Sequence, residues 1–225
     1  MATLLAFSVF WPGHNYPALI VGLLMGAYWA RVLKLVRRTR RMAGHGANFV
    51  PPEPLGRALR LLWMPIVGLW IILPLLAFFV GRGPGVLAPL FVSPALACLA
   101  AAIAVGAFAA TLVCWKRMGK SWRMGIDPGD KTQLVCSGPY AYVRHPIYAL
   151  SSLLMLMTML VLPSPLMLGV GVIHLLLLQW EARREEQYLV QLHGEDYRIY
   201  RSRTGRFVPR SLSPYAPLQS VTHHA

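Results

Sequence analysis

Apolar stretches long enough to cross a bilayer alternate along this chain with pieces that hold nearly all of its charge. Three of them, at about 17–36, 61–80 and 94–115, match the roughly 20 residues that a membrane helix needs. A longer one follows, in which the thirty-three residues from Ile147 to Gln179 include no Lys, Arg, Asp or Glu. Leu162-Pro163-Ser164-Pro165 interrupts it, and prolines so placed would remove helix hydrogen bonds and clash with the preceding turn. The run therefore reads as a hairpin with arms Ile147 to Leu162 and Leu166 to Trp180, sixteen and fifteen residues long. The pattern predicts an all-α integral membrane protein of about five transmembrane helices. The last two form a helical hairpin whose two mouths open on the same side.

Composition agrees, since 56% hydrophobic residues, 13% charged residues and a mean hydropathy of +0.50 do not describe a soluble domain. The net charge of +14 raises the question of nucleic acid, and the distribution of the charge answers it. Eight of the 22 Lys and Arg lie in 31–60, six in 116–144 and seven in 183–210, which leaves only Arg82 on the other side. By the positive-inside rule the N-terminus lies outside and the C-terminus in the cytoplasm, a parity that five crossings satisfy. A multi-pass protein of a bacterial inner membrane is the expected setting. The first sixteen residues lack the positive n-region of a cleavable signal peptide. The run Arg37-Arg38-Thr39-Arg40-Arg41 fits anionic lipid headgroups better than nucleic acid. Residues 1–115 are expected to supply three N-terminal spans, and residues 116–225 a cytoplasmic loop, the hairpin and a cytoplasmic C-terminal segment.

Metal and dinucleotide signatures are missing. Cys98, Cys114 and Cys136 are far apart, and His145, His174 and His193 have no Cys or His at ligand spacing. No glycine-rich turn opens a helix after a strand, and Gly169-Val170-Gly171 is better suited to close helix approach. His174, within the second arm, is expected to bond a neighbouring helix.

Polar residues gather instead at the two mouths of the hairpin. GPYAYVRHPIY, residues 138–148, leads into the first arm, and Glu185 and Glu186 follow the second. Arg144, His145 and Tyr148 would thus face two carboxylates in a wet pocket at the membrane surface. Upstream, Asp127-Pro128-Gly129 reads as a tight turn, and Gly138 frees the backbone so that main-chain groups can lie beside a flat ligand. Pro146 suits a first helical turn, and the mouth it opens favours an anion. Glu181, Arg184, Glu185 and Tyr188 share a helix face, with Glu186 about 100° round, so that one of the pair can turn inward. Read plainly, the same residues could be a snorkelling arginine and a solvated acidic patch.

GPYAYVRHPIY, the upstream GKSWRMGIDPGDKTQLVCS and the downstream EARREEQYLVQLHGEDYRIYRSRTGRFVP resemble the isoprenylcysteine carboxyl methyltransferase family of integral membrane enzymes, over about 116–209. The resemblance implies an S-adenosylmethionine-dependent methyltransferase. It assigns His145, Tyr148 and the helix mouth at Pro146 to the methionine end of that cofactor, and Glu185 or Glu186 to its ammonium. Gln133, Leu134, Val135, Gly138 and Tyr140 would border the adenosine. Arg144 and Arg203 match positions that hold the acceptor's carboxylate, on a lipidated or lipophilic molecule entering from the membrane. Tyr197 and Tyr200 would fix the C-terminal segment over the pocket. Relatives that share this core methylate phospholipid amines or small thiols, and those acceptors stay open at this point. An NADPH-dependent membrane reductase and a non-catalytic scaffold are the readings from other classes.

Overall fold

The computed structural model describes residues 14–43, 54–81, 83–119, 122 and 134–216. Arg82, the turn at Asp127-Pro128-Gly129 and Gln133 lie outside the described residues. Five helices follow in order: α1 (Tyr16–Ala43), α2 (Pro54–Phe79), α3 (Pro94–Met118), α4 (Pro146–Val161) and α5 (Pro165–Arg203). Single 3-10 turns occupy Gly85–Leu87 and Gly138–Ala141. No strand forms among the described residues, and one isolated bridge pairs Val143 with Gly205.

The chain is an all-α integral membrane protein, because α1, α2, α3 and α5 are each long and apolar enough to cross a bilayer. The hairpin stands where the prolines require it. Ser164 caps α5 by accepting from Met167 N at 3.3 Å, and Pro165 takes the first helical position, where its missing N–H costs nothing. At 16 residues α4 spans about 24 Å, short of the roughly 30 Å hydrocarbon core. The partner arm is far longer than its apolar part. Helix α5 has 39 residues, and beyond Trp180 its stretch from Glu181 to Arg203 carries ten charged residues, so that half stands clear of the membrane.

Two boundaries differ from the hydropathy pattern. Helix α1 runs past Val36 to Ala43, and α2 begins at Pro54 rather than near Leu61. Hydropathy marks where a helix leaves lipid, whereas a helix ends only where a breaker or an uncapped end stops it. Arg37 and Arg38 are good helix formers, and the turn simply continues through them.

Lipid tails are as apolar as leucine, so close packing and hydrogen bonds hold membrane helices together. Helix α3 buries a stripe of small residues, Ala97, Ala100, Ala101, Ala104 and Ala107, and packs most extensively on α4. Gly171 does the same for the hairpin, since a Cβ there would run into the Met159 side chain, whereas Gly169 faces open space. Polar ties complete the bundle. Trp70 Nε1 donates to Thr158 Oγ1 at 3.0 Å, and Trp63 Nε1 donates to His174 Nδ1 at 3.1 Å. Indole N–H is only a donor, so Nδ1 accepts; the hydrogen of His174 therefore sits on Nε2, aimed at Ser151 Oγ 3.2 Å away. His174, with no exposed surface, thus bonds two neighbouring helices, joining α2, α4 and α5 in the membrane.

Replacing His174 by Leu leaves the Trp63 and Ser151 groups unsatisfied, at about 1–3 kcal/mol each. The expected outcome is a clear fall in the melting temperature of the detergent-purified protein, with Trp63→Phe losing only part of it. A melting temperature for His174→Leu equal to the parent's would refute the tie.

Candidate active site

The loop before α4 is fastened by the chain that leaves α5. Arg144 N donates to Gly205 O at 2.8 Å and His145 N to Arg206 O at 3.1 Å, beside the Val143–Gly205 bridge. Residues 204–208 form a strap across the hairpin mouth. Its tight turn needs Gly205, where a Cβ would strike the Val208 carbonyl. Upstream, Gly194 sits at φ +56 and kinks α5, after which Tyr197 and Tyr200 are buried. Tyr200 Oη donates to Tyr140 O at 2.6 Å, and Tyr215 N donates to Ala141 O at 2.8 Å. Tyr200 therefore does fix the C-terminal segment over the loop.

Glu186 is the centre of the charged cluster beneath the strap. Arg144 Nε and Nη2 approach its Oε1 at 3.0 and 2.9 Å, and Arg144 Nη1 donates to the carbonyls of Arg201, at 3.1 Å, and Thr204. Arg206 grips the same carboxylate from the strap, Nε to Oε1 at 2.9 Å and Nη2 to Oε2 at 2.6 Å. The His145 ring lies between the two glutamates, Nδ1 3.6 Å from Glu185 Oε2 and Nε2 3.5 Å from Glu186 Oε1. One face of it stacks on Tyr148, with ring centres 5.4 Å apart and planes 2° from parallel, and Phe207 meets it edge-on at 6.3 Å.

The two adjacent carboxyls respond to this environment in opposite directions. Burial alone would raise Glu186, yet the contacts from His145, Arg206 and Arg144 together hold it well below the usual carboxylate range. Desolvation pushes Glu185 up, opposed by His145 and reinforced by Glu181. Burial also drives the Tyr140 hydroxyl upward and brings the Cys136 thiol to about 11, so both are neutral near pH 7.

The structure brings together five of the residues singled out in the sequence: Arg144, His145, Tyr148, Glu185 and Glu186. Pro146 opens α4, and no side chain caps its mouth. Tyr140 is buried beside them, Leu134 and Val135 line the loop half-buried, and Gly138 takes φ +62 against the Arg117 side chain. Arg203 is exposed on the last turn of α5 and makes no contact with Glu186. Arg206 and Phe207 were not singled out by sequence reasoning. The one local signal was the RFVP run just past the helix end, where Pro209 does not suit a continued helix.

Residues 90–191 match the model of the isoprenylcysteine carboxyl methyltransferase (ICMT) family. This stretch of the chain is similar to the ICMT family. The match, with the apolar helices around it, supports a membrane methyltransferase. The ICMT match takes in α3, the hairpin, Arg144, His145 and both glutamates; α1, α2 and the strap fall outside it. No curated protein and no solved structure matches the chain.

Glu186 titrates low in the fold, so its contribution is full above the ordinary carboxyl value of 4.5 and is lost as pH falls below it. The melting temperature of the parent should drop from roughly pH 5 to pH 3. Glu186→Gln should melt lower at neutral pH, by about 3–5 kcal/mol of stability for a broken buried pair, and should lack that acid-dependent component. Equal acid profiles for parent and variant would count against the clasp.

Proposed function

We propose that this protein transfers a methyl group from S-adenosylmethionine to the carboxylate of a lipophilic or lipid-linked acceptor at the cytoplasmic face of the membrane. The observation that carries the reading is a set of buried polar atoms around the His145 cluster. Among the described residues Tyr140 Oη, Tyr197 Oη and His145 Nε2 are enclosed without a formed hydrogen bond. Buried polar groups left so are costly, and a polar ligand would satisfy them. The residues present fit the proposed donor, which offers an ammonium, a carboxylate, an adenosine and a sulfonium and so needs an anion, a cation-like helix mouth and aromatic faces at one place.

When bound, that donor supplies an electrophilic methyl on a positively charged sulfur. The glutamates divide the remaining work. Glu186 is engaged by two arginines, whereas Glu185 keeps 21% of its side chain exposed and pairs with His145 and no arginine among the described residues, so Glu185 is the partner for the ammonium. The uncapped N-terminus of α4, beside His145, Pro146 and Tyr148, would hold the methionine carboxylate. Tyr140, Leu134, Val135 and Gly138 would border the adenosine, and the parallel His145 and Tyr148 rings offer a face to a cation. The strap excludes water above, and the acceptor's tail enters from the lipid between helices. An ionised carboxylate needs no general base, so the chain's task reduces to positioning. The distribution of Lys and Arg supports an N-terminus outside and places this mouth in the cytoplasm.

Calorimetry on the detergent-purified protein tests the donor site. S-adenosylmethionine should bind saturably, NADPH should not, and Glu185→Ala and His145→Ala should each weaken the donor by about tenfold or more while melting as folded proteins. A folded parent that does not bind the donor would sink the proposal.

A further inference from the structure

The arginines around the site differ in what they have left to offer. A guanidinium carries five N–H donors. Arg144 directs Nε and Nη2 to Glu186 and Nη1 to two strap-side carbonyls, with its side chain 5% exposed. It is a clasp, closed on all sides by protein. Arg206 gives Glu186 only its Nε/Nη2 edge and keeps 28% of its side chain exposed. Its Nη1/Nη2 edge, a second parallel pair of donors, has no acceptor among the described residues. The charges count the same way, since Arg144, Glu186 and Arg206 sum to +1 in a largely buried cluster.

We propose that Arg206 is the residue that receives the acceptor's carboxylate, held in position for it by Glu186. The assignment rests on the carboxylate-acceptor reading above and names the group that carries it. A planar fork with one edge fixed on a buried carboxylate presents its other edge in a fixed plane, which suits paired hydrogen bonds to a second carboxylate. The backbone holds it as well, through the bond from His145 N to Arg206 O. The His145 ring meets Glu185 at Nδ1 and, at Nε2, Glu186, the carboxylate that Arg206 grips, so the cation-binding glutamate and the carboxylate that positions Arg206 lie against the two nitrogens of a single imidazole. The acceptor oxygen forms its bond to the methyl carbon as the carbon–sulfur bond breaks and that electron pair returns to sulfur. Carboxylate becomes neutral ester, sulfonium becomes neutral thioether, and no proton moves. An ester no longer carries the charge that Arg206 holds, which favours release of product over substrate.

Methyl transfer to N-acetyl-S-farnesylcysteine, with donor binding by calorimetry on the same detergent-purified proteins, tests this. Arg206→Ala should raise KM for the acceptor by about tenfold to a hundredfold, the weight of a lost charged fork, while donor Kd stays within about twofold. Arg206→Lys, which keeps the charge without the fork, should fall between. The parent should be inhibited by the S-farnesylcysteine acid more strongly than by its carboxamide, and Arg206→Ala should lose that preference. Loss of donor binding or of folding in both Arg206 variants would make the residue structural and overturn the proposal. So would an unchanged acceptor KM, or a rise confined to Arg203→Ala; in either case methylation by the parent would leave the carboxylate reading standing. A parent that binds the donor but does not methylate the acid overturns both.

Discussion

The carboxylate of Glu186 holds three separate stretches of this chain together. It sits on α5, is gripped by Arg144 from the loop before α4, and is gripped again by Arg206 from the strap. Desolvating a lone carboxylate at this depth would cost several kcal/mol, and one arginine rarely offsets that. Two arginines, with the imidazole of His145 nearby, do. Because Arg144 also donates to the carbonyls of Arg201 and Thr204, the charge cluster and the backbone closure reinforce each other. Removing the carboxylate leaves the buried Arg144 and the half-buried Arg206 as two unpaired cations close together, so the strap and the mouth of α4 lose their register together.

Below this mouth the bundle is held by different means. In the lipid region the stabilising contacts are small-residue packing along α3, the close pass at Gly171, and the indole and imidazole bonds of Trp63, Trp70 and His174. These last reach from α2 to both arms of the hairpin. They give α2, which lies outside the family match, a physical role in fixing α4 and α5. The unequal arms also make sense. A short α4 brings its N-terminus to the membrane surface, and a long α5 continues outward until the Gly194 kink, after which the strap turns back over it.

Much of this was legible in the sequence, for identifiable reasons. The hairpin follows from two prolines in a charge-free run, and the meeting of Arg144 and His145 with Glu185 and Glu186 follows from their places at its two ends. Helix ends were less legible, because charge marks the limit of the membrane and not the limit of the helix. That Arg206, and not Arg203, reaches Glu186 could not be read from spacing alone. Three residues separate them, but α5 stops at Arg203, leaving that side chain on an exposed turn, and the turn at Gly205 swings Arg206 back onto Glu186. Such a reversal depends on backbone contacts with residues about 60 positions away, which no local pattern encodes.

Glu185 and Glu186 illustrate how one dipeptide can serve two opposite needs. Adjacent helix positions point about 100° apart, so identical side chains enter different surroundings. One meets a pair of guanidinium groups and stays firmly ionised; the other faces an imidazole and a ring hydroxyl, is raised by desolvation, and remains partly open. A carboxylate already neutralised by arginine has little attraction left for a ligand cation. A desolvated carboxylate without such a partner gains most from one, since an incoming ammonium relieves the cost of its burial. On the proposed donor reading, the arginines occupy one glutamate and leave the other for a positively charged ligand.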